Sequence, residues 1–193
     1  MGSVEIGAAQ KGRRRNVQKA MLIAIGAVGM LTIAAVAPNV FQVLGRTGIL
    51  TKLKYQTKSI LTRLKLRGEI EFIEHNGTKY VRLTERGEKT FALEQQKMVL
   101  SKEKPRRWDH RYRLVMFDIP EKRKKVRELL RFHMQEVGFL RIQDSAWVYP
   151  YNCEEFVALL KADLHIGKDV LYAVVEEIEN DASIRKHFNL SSK

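Results

Sequence analysis

The sequence is short of cysteine: Cys153 is the single thiol among 193 residues. One thiol forms no internal disulfide, and no Cys/His cluster carries metal-ligand spacing. Disulfide stapling and a structural zinc are thereby excluded, and the pattern suits a reducing, cytoplasmic location. Cys153 stands just before a helical pattern and is expected to be a small, buried or half-buried residue.

The first half is short of acid. Residues 1–107 carry 21 Lys and Arg against 8 Asp and Glu, whereas residues 108–193 carry 14 of each. The whole net charge of +13 therefore belongs to the N-terminal half. A split this sharp implies two domains with different roles, the first facing a polyanion. Nucleic acid is the first candidate and an anionic membrane surface the second. The length allows one large domain or two small ones.

Residues 20–37, AMLIAIGAVGMLTIAAVA, lack charge altogether and follow Arg13, Arg14, Arg15 and Lys19. Such a stretch is near the lower length limit of a membrane span, and Ala35-Val36-Ala37 resembles a signal cleavage site. Three features oppose both. Its Ala and Gly content weakens transfer into lipid, Pro38 follows the would-be cleavage point, and the segment beyond needs a first helix to complete a core. A buried helix over 20–37 is expected, with a membrane tether as the lesser alternative. The stretch also lacks a polar face, so a second copy of the chain is expected to help cover it.

Past this point helical patterns and turns alternate. Pro38 ends the first helix and opens a second over 39–44, stopped by Gly45. A third runs from about 55 to 67. Its apolar residues Ile60, Leu61 and Leu64, with Thr57, share one face. Tyr55, Lys58, Ser59 and Thr62 lie opposite, with Lys65 beside them. Strand-like runs at 70–73 and 79–83 flank Asn76-Gly77, a strong hairpin signal. Thr84-Glu85-Arg86-Gly87 then opens a helix to about Leu100. Helix, helix, helix, hairpin, helix is the order of a winged helix-turn-helix. Its third helix fits the major groove of double-stranded DNA, and Lys79 and Arg82 on the wing would meet phosphate. A basic protein-interaction domain is the alternative. Residues 1–18, with the basic run 11–19, are expected to be a flexible tail.

Residues 101–107, SKEKPRR, are polar and broken by Pro105, which marks a linker between domains at 19–100 and 108–193. The second half then reads as strand 112–117, helix 122–137, strands 139–142 and 146–149, helix 154–164, strand 169–175 and a short helix to Phe188. In the first of these helices Val126, Leu129, Leu130 and Met134 are expected to point inward. The order βαββαβ predicts a ferredoxin-like sheet with two helices on one face, and hence an α+β fold class overall.

The run WDHRYRLVMFDIP at 108–120 is followed by Glu121-Lys122, Gly138-Phe139, Gln143, Ser145-Ala146-Trp147-Val148 and Pro150-Tyr151. Together these closely resemble the central domain of the phenylacetate-degradation repressor (PaaX-like) family. That domain is itself similar to the small CRISPR-associated nuclease and spacer-integration subunit. The resemblance covers about 108–190. The segment 64–83 with its Leu-Thr-Glu-Arg-Gly ending resembles bacterial winged-helix regulators. Full-length repressors of the family carry a further domain, so sensing of an aryl-coenzyme A compound is not expected of these residues.

What the resemblance implies is a transcriptional repressor. It would bind DNA without enzymatic activity, as a homodimer whose ferredoxin-like halves set the spacing of two winged helices, and it would need no cofactor. In the CRISPR subunit an aspartate ending the first strand binds a divalent metal at the dimer interface. Asp118 occupies that place, which implies Mg²⁺-dependent nuclease activity as the alternative function. Asp118-Ile119-Pro120-Glu121 also has the spacing of a capping box, with proline favourable in the first turn, and this accounts for Asp118 without chemistry. No second carboxylate lies nearby in sequence. His110, His133, His165 and His187 share no spacing and are expected to be ordinary surface or boundary residues. Trp108 and Trp147 are expected to be core or interface aromatics.

Overall fold

The computed structural model describes the backbone of residues 3–32, 50–102 and 107–190, and the side chains of 16–32, 57–101 and 107–190. The fold class is α+β. The chain separates into two compact units, 1–94 and 95–193, and the division falls within the helix Glu85–Lys102.

The first unit contains α1 (Ser3–Val28), β1 (Met30–Thr32), α2 (Leu50–Leu66), β2 (Ile70–His75), β3 (Thr78–Leu83) and the start of α3 (Glu85–Lys102). The basic run 11–19 lies inside α1 and not in a flexible tail. Ala8, Ala9, Gln10 and Lys11 are good helix formers, and they continue a helix whose later turns are packed. The apolar stretch 20–37 is not one helix. α1 stops at Val28, Gly29 takes φ 79°, and its N–H donates to Ile25 O at 2.9 Å. This is the left-handed close that glycine makes without strain. Met30, Leu31 and Thr32 then pair antiparallel with Arg82, Val81 and Tyr80. Periodicity could not foresee this, because an apolar run reads the same whether helix or strand. Among the described residues no helix is long and apolar enough to cross a membrane. The helix expected over 39–44 lies outside the described residues.

Strand order in this sheet is β1-β3-β2. The hairpin is the one expected: Asn76 and Gly77 both have positive φ, 50° and 73°, the requirement of a two-residue turn matched to strand twist. Met21, Leu22 and Ile25 of α1 form one core with Ile60, Leu61 and Leu64 of α2 and with Ile70, Val81 and Leu83 of the hairpin. Lys19 reaches Glu94 of α3 at 3.1 Å.

In the second unit β4 (Tyr112–Phe117) is followed by a 3-10 turn (Glu121–Arg123), α4 (Lys124–Val137), β5 (Leu140–Gln143), β6 (Ala146–Tyr149), α5 (Glu154–Asp163), β7 (Val170–Val175) and α6 (Ala182–Phe188). The four strands form one sheet in the order β5-β6-β4-β7, with every neighbouring pair antiparallel. Side chains along β4 alternate between the two faces. Tyr112 and Leu114 join Val148, Val175, Ile184 and Phe188, so α6 covers their face. α4 lies over the opposite face, where the Arg131 guanidinium stands 5.8 Å from the Phe117 ring. Leu130, Met134 and Val137 are the buried residues of α4. Leu129, expected inward, is 42 % exposed. It falls on the boundary of the apolar stripe, where spacing alone does not settle orientation.

Polar contacts fix α6 to the start of β4. Tyr112 Oη donates to Asp181 Oδ2 at 2.7 Å, and Arg185 Nε donates to the same oxygen at 2.7 Å. Arg185 also lies 5.2 Å from the Trp108 ring, so one carboxylate and one aromatic hold α6 down. Trp108 and Trp147 are both buried, as the sequence led one to expect. Cys153 is buried as well, and burial pushes its thiol up to about 12, so it is a packing residue and not a nucleophile.

Candidate nucleic-acid interface

α2 spans 17 residues and holds Lys52, Lys54, Lys58, Arg63 and Lys65 but no acid. Thr57, Ile60, Leu61 and Leu64 are buried at i, i+3, i+4 and i+7, which turns one stripe into the core. Lys58, Ser59, Thr62 and Lys65 are exposed, as expected. Tyr55 belongs to α2, and its side chain lies outside the described residues. Arg63 shares the exposed surface one turn beyond Ser59, a position that sequence reasoning missed. Its i+4 spacing from Ser59 was the available signal.

Local contacts limit what each side chain can offer. Thr62 Oγ1 donates to Lys58 O at 2.8 Å, so its proton is used within the helix and its lone pairs face outward. Lys65 Nζ lies 5.2 Å from the centroid of Phe72, which ties the last turn of α2 to β2. The hairpin is not a free basic surface. Arg82 Nε donates to Glu71 Oε1 at 2.6 Å across the ladder. Glu71 and Glu74 balance Lys79 and Arg82 over residues 70–83. Lys79 is exposed near the turn. The structure therefore brings the positive charge of this unit to α2 more than to the hairpin.

Asp118 is exposed at the end of β4, and its N–H donates to Asp169 O at 2.9 Å. It caps nothing. The residue before the 3-10 turn is Pro120, the residue before α4 is Arg123, and neither position has a side-chain cap. The capping box fails because helix geometry begins two residues later than its spacing requires. Glu121 turns instead to Arg127 at 2.6 Å, and this hydrogen bond holds its carboxyl below the usual range. Arg123 replaces the cap by tying the turn to the α5–β7 connection. It donates to Asp169 Oδ2 at 2.8 Å and to the carbonyls of Leu164 and His165, each at 3.0 Å. Among the described residues no group of three or more His, Cys, Asp or Glu side chains gathers as a metal site. His110, His165 and His187 are exposed, and His133 stands 3.7 Å from Glu136.

Residues 105–186 match the family described as the PaaX protein central Cas2-like domain. No curated protein matches the chain.

Proposed function

Starting from residues 105–186 as a PaaX-type central Cas2-like domain, we propose that this chain is a sequence-specific, DNA-binding transcriptional repressor acting as a homodimer. In this reading the first unit is a winged helix-turn-helix, with α2 as recognition helix and β2–β3 as wing. The second unit is the ferredoxin-like dimerisation body. The observation that carries the reading is α2 itself: five cations, no acid, one stripe buried, and Lys58, Ser59, Thr62, Arg63 and Lys65 turned outward. A helix so built enters a major groove without like-charge repulsion and offers donors and acceptors to base edges. The β1-β3-β2 sheet behind it supports the same assignment. Two-fold symmetry calls for a palindromic operator. The activity needs no cofactor.

The test is selection of duplex DNA by the full-length protein, followed by binding titrations across salt concentrations. A palindromic site and an affinity falling steeply with salt are expected, since phosphate contacts release counterions. Lys58→Ala and Thr62→Ala should each weaken the selected site by about 1–3 kcal/mol while changing nonspecific binding less. A protein with no duplex affinity, or one whose affinity ignores salt, would overturn the proposal.

A further inference from the structure

Leu66 of α2 is 82 % exposed, more than any other large apolar side chain among the described residues. Its exposure is not the fraying of a helix end. Arg67 N–H donates to Arg63 O at 3.0 Å, Glu69 N–H to Leu64 O at 2.9 Å and Gly68 N–H to Lys65 O at 2.8 Å, with Gly68 at φ 70°. This is the glycine-closed end that satisfies a helix's last carbonyls, and it fixes the backbone on which Leu66 stands. Leu66 lies two residues past buried Leu64, about 200° round the helix, and so faces away from the core. A single leucine in water is ordinary. This one continues a stripe: Ser59, Thr62 and Leu66 follow at i, i+3 and i+7, and all are exposed. The stripe carries no charge. Lys58 and Lys65 flank it on one side and Arg63 on the other, and α2 has no acid.

We propose that Leu66 is a specificity-determining residue that reads the C5-methyl group of thymine in the major groove. This rests on α2 as the recognition helix of the proposed function and names a base that the helix selects. Charge complementarity commits this face to duplex DNA. Cations on both flanks hold the neutral stripe between two phosphate walls, and no carboxylate on the helix repels either wall. Thymine alone among the four bases presents a methyl group in that groove. A leucine side chain neither donates nor accepts a hydrogen bond. Set against the polar edges of the other bases, it would strip them of water and leave them unpaired. Set against a thymine methyl, it removes apolar surface from water on both partners without that penalty. Thr62 stands one turn earlier, and its hydroxyl proton is given to Lys58 O at 2.8 Å. The last turn of the stripe therefore offers the groove apolar groups and acceptor lone pairs.

The test uses the full chain and its selected duplex site, with deoxyuridine put in place of thymine one position at a time. That exchange removes a methyl group and keeps every hydrogen-bonding group of the base. The wild type should bind about fourfold more weakly when the methyl that Leu66 touches is lost. Leu66→Ala should be indifferent to that one exchange and respond as wild type to the others. Its urea midpoint should match wild type, because the side chain is exposed and packs no core. A selected site without thymine, a wild type indifferent to every exchange, or a Leu66→Ala protein that keeps the full wild-type response would overturn the proposal. Selective binding that persists in those cases leaves the proposed function standing. A Leu66→Ala protein with an altered mass in sedimentation and an unchanged deoxyuridine response would assign the leucine to a protein contact and also overturn it. A chain with no duplex affinity would overturn both readings.

Discussion

The Cα of Gly87 lies directly against the backbone carbonyl oxygen of Glu69, so a side chain there would collide with main chain. The approach is fixed from both sides. Glu69 O accepts the Thr84 N–H at 3.1 Å, and Thr84 Oγ1 accepts the Gly87 N–H at 3.1 Å. Thr84 thus caps α3 while holding its first turn against the end of α2.

Gly87→Ala is therefore expected to destabilise the first unit. At an open helical site the same change stabilises by up to about 1 kcal/mol. Here overpacking against backbone should cost about 1–3 kcal/mol or more. Urea unfolding of the full chain measures it, and a Gly87→Ala protein at least as stable as wild type would refute the close approach.

The Leu-Thr-Glu-Arg-Gly ending was legible in sequence as the opening of α3, because a helix start is set locally; the approach of Gly87 to Glu69 was not, since it joins residues far apart in the chain. Local signals also gave the Asn76-Gly77 turn and β4, whose bounds fell at Tyr112–Phe117 as expected. Asp118 misled because capping spacing says nothing of where helical dihedrals begin, and the 3-10 turn delays them. Residues 20–37 misled because partner strands decide whether an apolar run is helix or sheet. On α2 the buried and exposed faces followed from period alone. The pairing of Arg82 with Glu71 did not, since it depends on cross-strand register.

That pairing yields a second expectation. Arg82 is held at 2.6 Å by Glu71, with both side chains about half exposed. Glu71→Gln should release the guanidinium toward phosphate. Affinity for nonspecific duplex should rise, and the dependence of log K on log salt should steepen by about one contact. Arg82→Ala in the wild-type background should change that slope less than Lys79→Ala. Equal slopes in the wild type and Glu71→Gln proteins would place Arg82 away from DNA.

A third expectation separates Asp118 from its neighbour. With no cap to lose, Asp118→Ala should change stability by less than about 0.5 kcal/mol, against about 1 for a working N-cap. Arg123→Ala removes an ion pair and two carbonyl contacts together, and should cost about 1–2 kcal/mol. Chemical denaturation of the two variants side by side decides it. A larger loss at Asp118 than at Arg123 would contradict the geometry of this turn.

The last expectation concerns acid. Arg113 is buried, and its guanidinium donates to Asp109 Oδ1 at 2.7 Å and Oδ2 at 2.6 Å, and to Pro150 O at 3.0 Å. The hydrogen bond from Arg113 holds the Asp109 carboxyl below its usual range, against an opposing effect of partial burial. A carboxylate with a depressed folded pKa stabilises the fold above its unfolded pKa of about 3.9, and loses that contribution as pH falls through the folded value. Asp109→Asn should therefore be less stable than wild type near neutrality, and the gap should close below about pH 4. Asp109 is 48 % exposed, so solvent screens the pair and the gap will be smaller than for a fully buried one. Arg113→Lys should cost more than Asp109→Asn, because an ammonium cannot serve both carboxylate oxygens and the Pro150 carbonyl at once. Thermal unfolding of the three proteins from pH 7 down to pH 2 measures these differences. A gap between wild type and Asp109→Asn that widens as the pH falls would reverse the sign of the linkage and sink this account of the pair.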